Sequence, residues 1–519
     1  MNLGRRDVLK QSLVWGVAAA SGRRGWAAGS DDQTFDEPRP LPHAASFQSQ
    51  WLRSGPWVPV FDERHAANLK VVHGTIPRSL RGVFLRNGPN PLYEPVGGYT
   101  FPFDGDGMIH AVEFADGKAS YRNRLIRTPW VEAEMTAQRP LYGGIAAVMH
   151  RPDSKSLPPG APTTGGKNAA NTHVVAHAGT ILALYEAGLP YQLDLDLNTL
   201  GPYDFNGRLQ GAMTAHPKID PETGELLFFR YAPIRPYLVF FIADARGVIT
   251  HHRPIDLPRP VMIHDFACTP NYVIVPDCPA VFSIAAALLG KPILQWMPAF
   301  PARLGVIPRR SDHPAEPIWF EFDPFFCYHL LNAYETCDPQ TNQVVSITVD
   351  LVKRSGFEID GDPEKVKDDP GLLTRYELDL VHKTARVHLL DDRDVEFPRL
   401  NDRRAGRKNR FGYVAATGQA QTAAAFDSLV QHDFERNVTL VQTFGGNQWC
   451  GEGVFLPDPE GQGGEQEGWI ITYTHDPAAN QSFVALIDAR DFAGPPAALI
   501  ALPRRVPAGF HGSWVPLPL

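Results

Sequence analysis

The sequence has few cysteines, no long hydrophobic run and no excess of basic residues, and each of these absences excludes a class of protein. Only 5 of the 519 residues are cysteine. Their number is odd and no C-x-x-C pair occurs, so neither a zinc site nor a disulfide framework is indicated. We expect buried free thiols; the alternative is one disulfide bridge, if the compartment is oxidising. The five residues are Cys268, Cys278, Cys327, Cys337 and Cys450.

Charge and motif content argue against nucleic-acid and nucleotide partners. The formal net charge is −8, and a nucleic-acid-binding protein would normally carry a basic surface. A basic cluster at residues 403–410 is interpreted as a solvated loop. The sequence contains no G-x-G-x-x-G motif and no P-loop. With 43% hydrophobic and 20% charged residues, the composition is that of an ordinary globular protein with ample length for a large core.

The first 28 residues differ from the rest of the chain. Arg5 and Arg6 form a twin-arginine pattern, and the apolar stretch Ser12–Ala20 that follows is too short to span a membrane. Small residues follow near Ala28. We therefore predict that residues 1–28 are a twin-arginine export signal, that the protein is periplasmic, and that residues 29–519 form one domain.

Short β-rich runs alternate with turns over most of this domain. Examples are Thr180–Glu186, Leu226–Tyr231 and Val344–Asp350, and turn sequences such as D-P-E-T-G-E and C-D-P-Q-T-N separate such runs. So many strand–turn–strand units in a chain of this length favour a β-propeller over a sandwich. No internal repeat is clear, so the number of blades cannot be counted from the sequence.

Two stretches interrupt the strand pattern. Residues 143–170 are expected to be an irregular insertion with a short helix. Residues 280–307 are apolar, and their alanine and leucine content predicts a helix that Lys291 and Pro292 interrupt. This second stretch is interpreted as core or cap packing; the alternative is an interfacial patch that makes peripheral contact with a membrane.

Four of the 18 histidines stand in distinctive segments spread over about 300 residues. They are His216 in T-A-H-P-K, His264 in M-I-H-D-F, His329 in F-C-Y-H-L-L and His511 in G-F-H-G-S-W. No local loop or helix could gather them, but the inner strands of a propeller converge on its axis. Four neutral imidazoles without a thiolate suit a redox-active first-row metal, above all iron.

Three longer motifs stand in order along the chain. They are G-V-F-L-R-N-G-P-N-P at 82–91, F-D-G-D-G-M-I-H-A-V at 103–112 and L-P-R-R-V-P-A-G-F-H-G-S-W at 502–514. With the four histidine segments, they show that the chain resembles the carotenoid cleavage oxygenases, non-haem iron enzymes that split alkenes with O₂. The resemblance implies an all-β fold, a seven-bladed β-propeller with a loop- and helix-rich cap over one face. It also implies one Fe(2+) per chain, held by these four histidines.

The resemblance further implies which residues support the metal and the substrate. Three glutamates are expected to orient the histidines: Glu186 for His264, Glu396 for His329 and Glu452 for His511, with no carboxylate for His216. Aromatic residues beside these segments are the candidate substrate-binding residues, namely Tyr185, Tyr328, Phe397 and Phe101.

Other residues with metal-ligand chemistry are interpreted as structural. His173 and His177 have a helical metal spacing, but their surroundings predict a strand, a turn and a strand, so ligation is not expected. Asp104 and Asp106 in D-G-D-G faintly resemble a calcium loop, yet the following carboxylate spacing is wrong, and a tight turn is expected. His110 is expected to be structural.

The implied reaction is oxidative cleavage of a carbon–carbon double bond to two carbonyl products. A carotenoid or apocarotenoid is the favoured substrate; a lignostilbene or another aryl alkene is the alternative. Lignostilbene cleavage would need a lysine soon after the R-x-x-x-T segment to bind a phenol, and residues 124–134 contain none. Tyr99 could supply one phenol contact. An isomerase like the retinal isomerohydrolases and a non-catalytic propeller that binds apolar ligands are the remaining hypotheses.

Overall fold

Seven antiparallel sheets follow one another along the chain and form the blades of a propeller. The structure is a computed structural model that describes residues 34–35 and 37–518, except 164–165, 311–315, 360–368, 419–424 and 446–447. The predicted export signal, residues 1–28, lies outside the described residues. The predicted fold class, an all-β seven-bladed propeller, is confirmed.

The blades are numbered along the chain, and their strands run from the innermost to the outermost. Blade 1 consists of Gly512–Pro516, Gly82–Pro89, Gly107–Ala115, Lys118–Leu125, His65–Ala67 and Thr34–Phe35. Blade 2 consists of His173–His177, Thr180–Leu184, Tyr191–Leu193 and Thr199–Pro202. Blade 3 consists of Lys218–Ile219, Leu226–Tyr231, Leu238–Ala243 and Ile249–Ile255. Blades 4 and 5 consist of Ala267–Cys268, Tyr272–Asp277, Ala302–Pro308 and Ile318–Phe322, and of Leu330–Cys337, Val344–Lys353, Leu372–Asp379 and Thr384–Asp391. Blade 6 consists of Val395–Arg399, Phe411–Ala416, Ser428–Asp433 and Val438–Thr443. Blade 7 consists of Trp449–Cys450, Gly468–Asp476, Gln481–Asp488, Ala498–Ala501 and Val71–Gly74, and the strand Val454–Pro457 also pairs with Gly468–Asp476.

Few other elements are present among the described residues. The α-helices are Pro129–Ala137 and Ile284–Leu288, and the 3₁₀ turns are Gln50–Leu52, Ile145–Ala147, Ser154–Ser156, Asp402–Arg404 and Ala489–Asp491. Two small hairpins pair Arg39–Pro40 with Asp62–Glu63 and Ala280–Phe282 with Leu294–Trp296. In this part of the chain no helix has both the length and the apolar character needed to cross a membrane.

Both ends of the chain close the ring of blades. The C-terminal strand Gly512–Pro516 pairs with Gly82–Pro89 and becomes the innermost strand of blade 1. The strand Val71–Gly74 adds to the outer edge of blade 7. Since each closing strand comes from the other end of the sequence, neither blade is complete until the whole chain has folded. Gly82 is required at this closure because any side chain there would collide with the indole of Trp514.

The core lies between the blades. Each pair of neighbouring blades encloses its own apolar cluster, and the cluster between blades 4 and 5, for example, joins Ile274 and Leu304 to Ile347 and Val349. Both faces of a blade are therefore covered. This explains why strands such as Leu238–Ala243 are apolar and buried throughout, instead of alternating with polar residues.

The helix predicted within residues 280–307 is largely wrong. Only Ile284–Leu288 is helical, and the strands are Ala280–Phe282, Leu294–Trp296 and Ala302–Pro308. The helix begins because the Ser283 hydroxyl accepts the Ala286 N–H. It cannot continue past Gly290, whose φ is +70°. The insertion at 143–170 is irregular as expected, with two 3₁₀ turns.

Two further expectations hold only in part. The basic cluster at 403–410 is a loop in which Arg403, Arg404 and Lys408 are exposed, but Arg407 binds Asp220 at 3.1 Å and Arg410 binds Asp433 at 2.6 Å. The described cysteines are all free, but Cys337 is exposed instead of buried. It is the last residue of the strand Leu330–Cys337, whose final residues leave the core for the surface.

Candidate metal centre

Four histidines meet at the axis of the propeller because each stands at the beginning of an innermost strand. His216 precedes Lys218–Ile219 in blade 3, and His264 precedes Ala267–Cys268 in blade 4. His329 and His511 directly precede the inner strands of blades 5 and 1. All four side chains are buried, and their candidate ligand atoms lie within 4.8 Å of one another. The described structure thus brings together every histidine of the sequence-based ligand set.

The spacing of these nitrogen atoms fits one metal ion. The Nε2 atoms of His216 and His264 lie 3.0 Å apart, and the buried Nε2 atom of His329 has no hydrogen-bond partner among the described residues. Around an ion with metal–nitrogen bonds of about 2.1 Å, adjacent ligands are about 3 Å apart and opposite ligands about 4.2 Å. The Nε2 lone pairs face one another at the axis, and a bound cation would accept all of them.

Three carboxylates lie behind the histidine ring. The Nδ1 atom of His264 is 2.7 Å from Glu186, that of His329 is 2.5 Å from Glu396, and that of His511 is 2.9 Å from Glu452. Each pairing is the one that the resemblance implied. A carboxylate can only accept, so each Nδ1 atom carries the proton and each Nε2 atom presents its lone pair to the axis.

The propeller divides these roles among its blades. Blades 1, 3, 4 and 5 supply the histidines, while Glu186, Glu396 and Glu452 come from blades 2, 6 and 7. Every blade therefore contributes to the centre, which explains why residues so far apart in sequence form one site.

Burial and mutual repulsion favour the neutral form of two of the four histidines. Burial, followed by the neighbouring imidazoles, holds the pKa of His216 and of His511 well below the usual histidine value. Burial also opposes protonation of His264, but the Glu186 carboxylate outweighs it and raises the pKa of His264. Despite its burial, Glu396 has its pKa lowered to about 2 by His329. Neutral imidazoles backed by anions are good donors to a divalent cation.

Some contacts of the carboxylates were not found from the sequence. Tyr231, at the end of the strand Leu226–Tyr231, is close to Glu186: burial and then this carboxylate raise the pKa of its phenol. Arg399 donates to Glu452 at 3.4 Å and to the Gly512 carbonyl at 3.2 Å. Both residues lie within strand motifs that carry no local sign of such a role, because the contacts cross between blades.

Two of the four candidate substrate-binding aromatics, Tyr328 and Phe397, lie beside the histidines. The Tyr328 ring meets His264 edge to face at 5.4 Å, and the Phe397 ring meets His511 in the same way at 4.9 Å. Tyr185 directly precedes Glu186, and burial raises the pKa of its phenol. Phe101 lies one layer further out, stacked on Trp51 at 4.1 Å. Phe103, 6.2 Å from Tyr328, extends the aromatic wall and was missed.

The residues interpreted as structural have structural contacts. His173 and His177 are the ends of one strand, as the predicted strand–turn–strand requires, and His177 contacts the Gly224 carbonyl at 2.9 Å. The Asp104 carboxylate accepts the backbone N–H groups of Thr100 and Ile145. Two further contacts complete the set: Asp106 pairs with Lys167 at 2.5 Å, and His110 meets the Tyr121 hydroxyl at 2.8 Å.

Comparison with known proteins agrees with this geometry. A family model described as RPE65, retinal pigment epithelial membrane protein, matches residues 57–516. Carotenoid 9,10(9',10')-cleavage dioxygenase 1 of Pisum sativum is 34% identical over 501 residues, which is 91% of each chain. The crystal structure of Pseudomonas brassicacearum lignostilbene dioxygenase matches with a TM-score of 0.81 and 30% identity, covering 91% of this chain and all of that one. Cobalt-substituted Synechocystis ACO matches with a TM-score of 0.77 and 28% identity, covering 90% and 98%. The chain therefore belongs to the carotenoid cleavage oxygenase family.

Proposed function

We propose that the protein is an Fe(II)-dependent dioxygenase that cleaves a carbon–carbon double bond of a carotenoid or apocarotenoid. The observation that carries the proposal is the convergence of four neutral imidazoles, three of them backed by carboxylates, at the axis of a chain of this family. Neutral ligands leave the full positive charge on the ion, which favours Fe(II) over Fe(III). The solved structure of a cobalt-substituted relative supports a divalent metal at this place.

The reaction balances without an added reductant. The carbon–carbon double bond and the O–O bond break, two C=O bonds form, and each product carries one oxygen atom. Iron would supply the activation of O₂. Glu186, Glu396 and Glu452 hold the Nδ1 protons and so keep the ring of lone pairs pointed inward. Tyr328 and Phe397 pack against His264 and His511, where they help to exclude water and offer surfaces for a polyene.

The charges near the site support an apolar substrate. The positive charge of Lys167 favours ionisation of the Tyr185 phenol. The ammonium group of Lys167, however, lies between Asp106 at 2.5 Å and Glu134 at 2.6 Å. Two carboxylates already neutralise it, so it is poorly placed to stabilise a phenolate. An apolar polyene has no phenolate to stabilise and needs no such cation.

Cleavage of a lignostilbene or another aryl alkene is the second candidate. It is favoured by the match to Pseudomonas brassicacearum lignostilbene dioxygenase over 91% of this chain. Tyr99, Tyr185 and Tyr328 are half-buried phenols that could contact a substrate hydroxyl.

Product analysis decides among these functions. Iron-loaded protein would be incubated under O₂ with carotenoids, apocarotenals and stilbenes, and the products identified by mass spectrometry, with His264→Ala as the inactive variant and His177→Ala as its matched control. We expect shorter aldehydes from apocarotenals, abolished by the first change only. Turnover of stilbenes alone would establish the second candidate, and a product of unchanged mass would indicate an isomerase. Full function in the His264→Ala protein would indicate a non-catalytic binding propeller.

An exposed apolar patch supports peripheral contact with a membrane. The patch consists of Ile284, Leu288, Leu289 and Met297, of which Leu288 and Leu289 are 68% and 76% exposed. In the chain the patch follows Phe282, whose ring lies 5.8 Å from that of Tyr231, a residue close to Glu186. These side chains connect the patch to the surroundings of the metal centre, and we infer that a membrane-dissolved polyene enters on this side.

Export to the periplasm is the proposed localisation. It rests on the twin arginines at positions 5 and 6 and on the short apolar stretch after them. Changing both arginines to lysine should abolish export of the full chain. Cell fractionation measures this, and export of the double-lysine protein at the normal level would refute the localisation.

A further inference from the structure

Blade 2 places a histidine beside the metal centre that is not one of the four ligands. His173 begins the innermost strand of this blade, a position close to that of the ligands in blades 1 and 5. Its buried ring lies 5.5 Å from the ring of His511 and 6.0 Å from that of His216. It is thus wedged between ligands from the two neighbouring blades.

The hydrogen bonds of His173 reach the backbone next to both ligands. Its Nδ1 atom is 2.9 Å from the carbonyl of Ala215, the residue before His216. Its Nε2 atom is 3.3 Å from the Gly512 carbonyl and 3.4 Å from the Ser513 hydroxyl. Arg399 already donates to the Gly512 carbonyl.

These contacts decide where the proton of His173 lies. The Ala215 carbonyl can only accept a hydrogen bond and is the nearer partner, so Nδ1–H donates to it. The Nε2 atom then accepts from the Ser513 hydroxyl. His173 therefore clamps the blade 3 segment to the blade 1 segment.

The ligand on blade 3 needs such support more than the others. His264, His329 and His511 are each oriented by a carboxylate, whereas no carboxylate of the described residues bonds the imidazole of His216. The inner strand after His216 has only two residues, so few ladder hydrogen bonds hold its backbone. We propose that His173 is a positioning residue that holds the backbone at His216 in place through the Ala215 carbonyl, whereas the carboxylates hold the imidazoles of the other three ligands directly. The inference rests on the proposed metal centre.

Two substitutions separate the two bonds of His173. An asparagine amide ends at about the distance of Nδ1 from the backbone, so His173→Asn retains a donor to Ala215. A glutamine amide reaches the place of Nε2, so His173→Gln retains a partner for Ser513 but leaves the Ala215 carbonyl without its donor. His173→Ala removes both bonds. The matched control is His475→Asn, because His475 is also buried and bonds a serine, Ser482, at 2.9 Å, but does so outside the metal centre.

The measurement is Co²⁺ binding by the full-length protein after removal of metal with a chelator. Calorimetry gives the dissociation constant, the visible spectrum of bound Co²⁺ reports ligand geometry, and thermal unfolding of the metal-free forms reports stability. We expect the alanine and glutamine variants to bind about 10- to 100-fold more weakly with an altered spectrum, as for other residues that orient metal ligands. The asparagine variant should bind within about threefold of the wild type, and His475→Asn should bind unchanged.

Two results would overturn the role of His173. One is wild-type Co²⁺ affinity in the alanine variant; the other is equal weakening in the asparagine and glutamine variants that follows their loss of thermal stability. Failure of the proposed function looks different. In that case the wild type binds no cobalt, or His264→Ala binds it equally well, whatever residue stands at 173.

Discussion

Replacing Leu288 and Leu289 by serine should release the protein from lipid membranes. These side chains are 68% and 76% exposed at the edge of the apolar patch, so most of their surface is free to enter a bilayer interface. Complete burial of one leucine side chain is worth about 1.5–3 kcal/mol. For the exposed fractions of two leucines this amounts to about 2–4 kcal/mol, which corresponds to a partition coefficient lowered about 30- to 1,000-fold.

Sedimentation with phospholipid vesicles measures this partition directly. The control carries the same changes at Leu195 and Leu200, which are 57% and 58% exposed in blade 2 and therefore lose a similar apolar area. We expect the control to bind vesicles like the wild type. Turnover of a polyene should fall when the substrate is supplied in vesicles, and stay unchanged when it is supplied in detergent. Equal partition of the two double variants, or no loss in either, would refute the reasoning.

Three smaller perturbations follow from the same contacts. Glu396→Gln removes the charge behind His329 and should weaken Co²⁺ binding by calorimetry about 10- to 100-fold, whereas Glu377→Gln, at an exposed pair, should not; equal affinities would contradict the role of Glu396. Burial raises the pKa of Glu113 to about 7, so its favourable contribution is complete below about pH 4.5 and is lost as the pH rises through 7. Glu113→Gln should therefore stabilise the fold at pH 8, by on the order of 1 kcal/mol given its partial exposure, and not at pH 4; a gain at both pH values in urea unfolding would exclude this cause. Thr128→Ala removes the cap of the helix Pro129–Ala137 and should cost about 1 kcal/mol in the same assay; an unchanged urea midpoint would show that the cap contributes nothing.

Local sequence identified the strands better than the elements between them. Runs such as Leu226–Tyr231 are apolar on both faces, and the structure buries them between blades. The helix Pro129–Ala137 could have been found, since Thr128 and Pro129 form a capping signal and a first helical residue. The opposite error occurred at 280–307, where helix propensity lost to hairpin pairing.

Some residues of the candidate site were found from the sequence and others only from the structure. The sequence motifs singled out four histidines and three glutamates, and the structure joins all seven in one buried network. The sequence did not reveal the roles of Tyr231, Arg399 and His173, because these side chains have ordinary local surroundings. Their partners lie in other blades, and no local pattern encodes contacts between blades.

By itself, the sequence determined residue chemistry and local conformation: neutral imidazoles without a thiolate, apolar runs of strand length, and turns that return each strand antiparallel to the last. Local residue patterns did not give the seven blades or the set of residues that meets at the axis, which were expected only from the family resemblance. The tertiary structure decided both, and it decided which arginines pair with acidic residues. The physical reason is the distance along the chain over which each interaction acts. Backbone propensities act over a few residues, whereas His216 and His511 become neighbours only after the C-terminal strand pairs with Gly82–Pro89 and closes the ring.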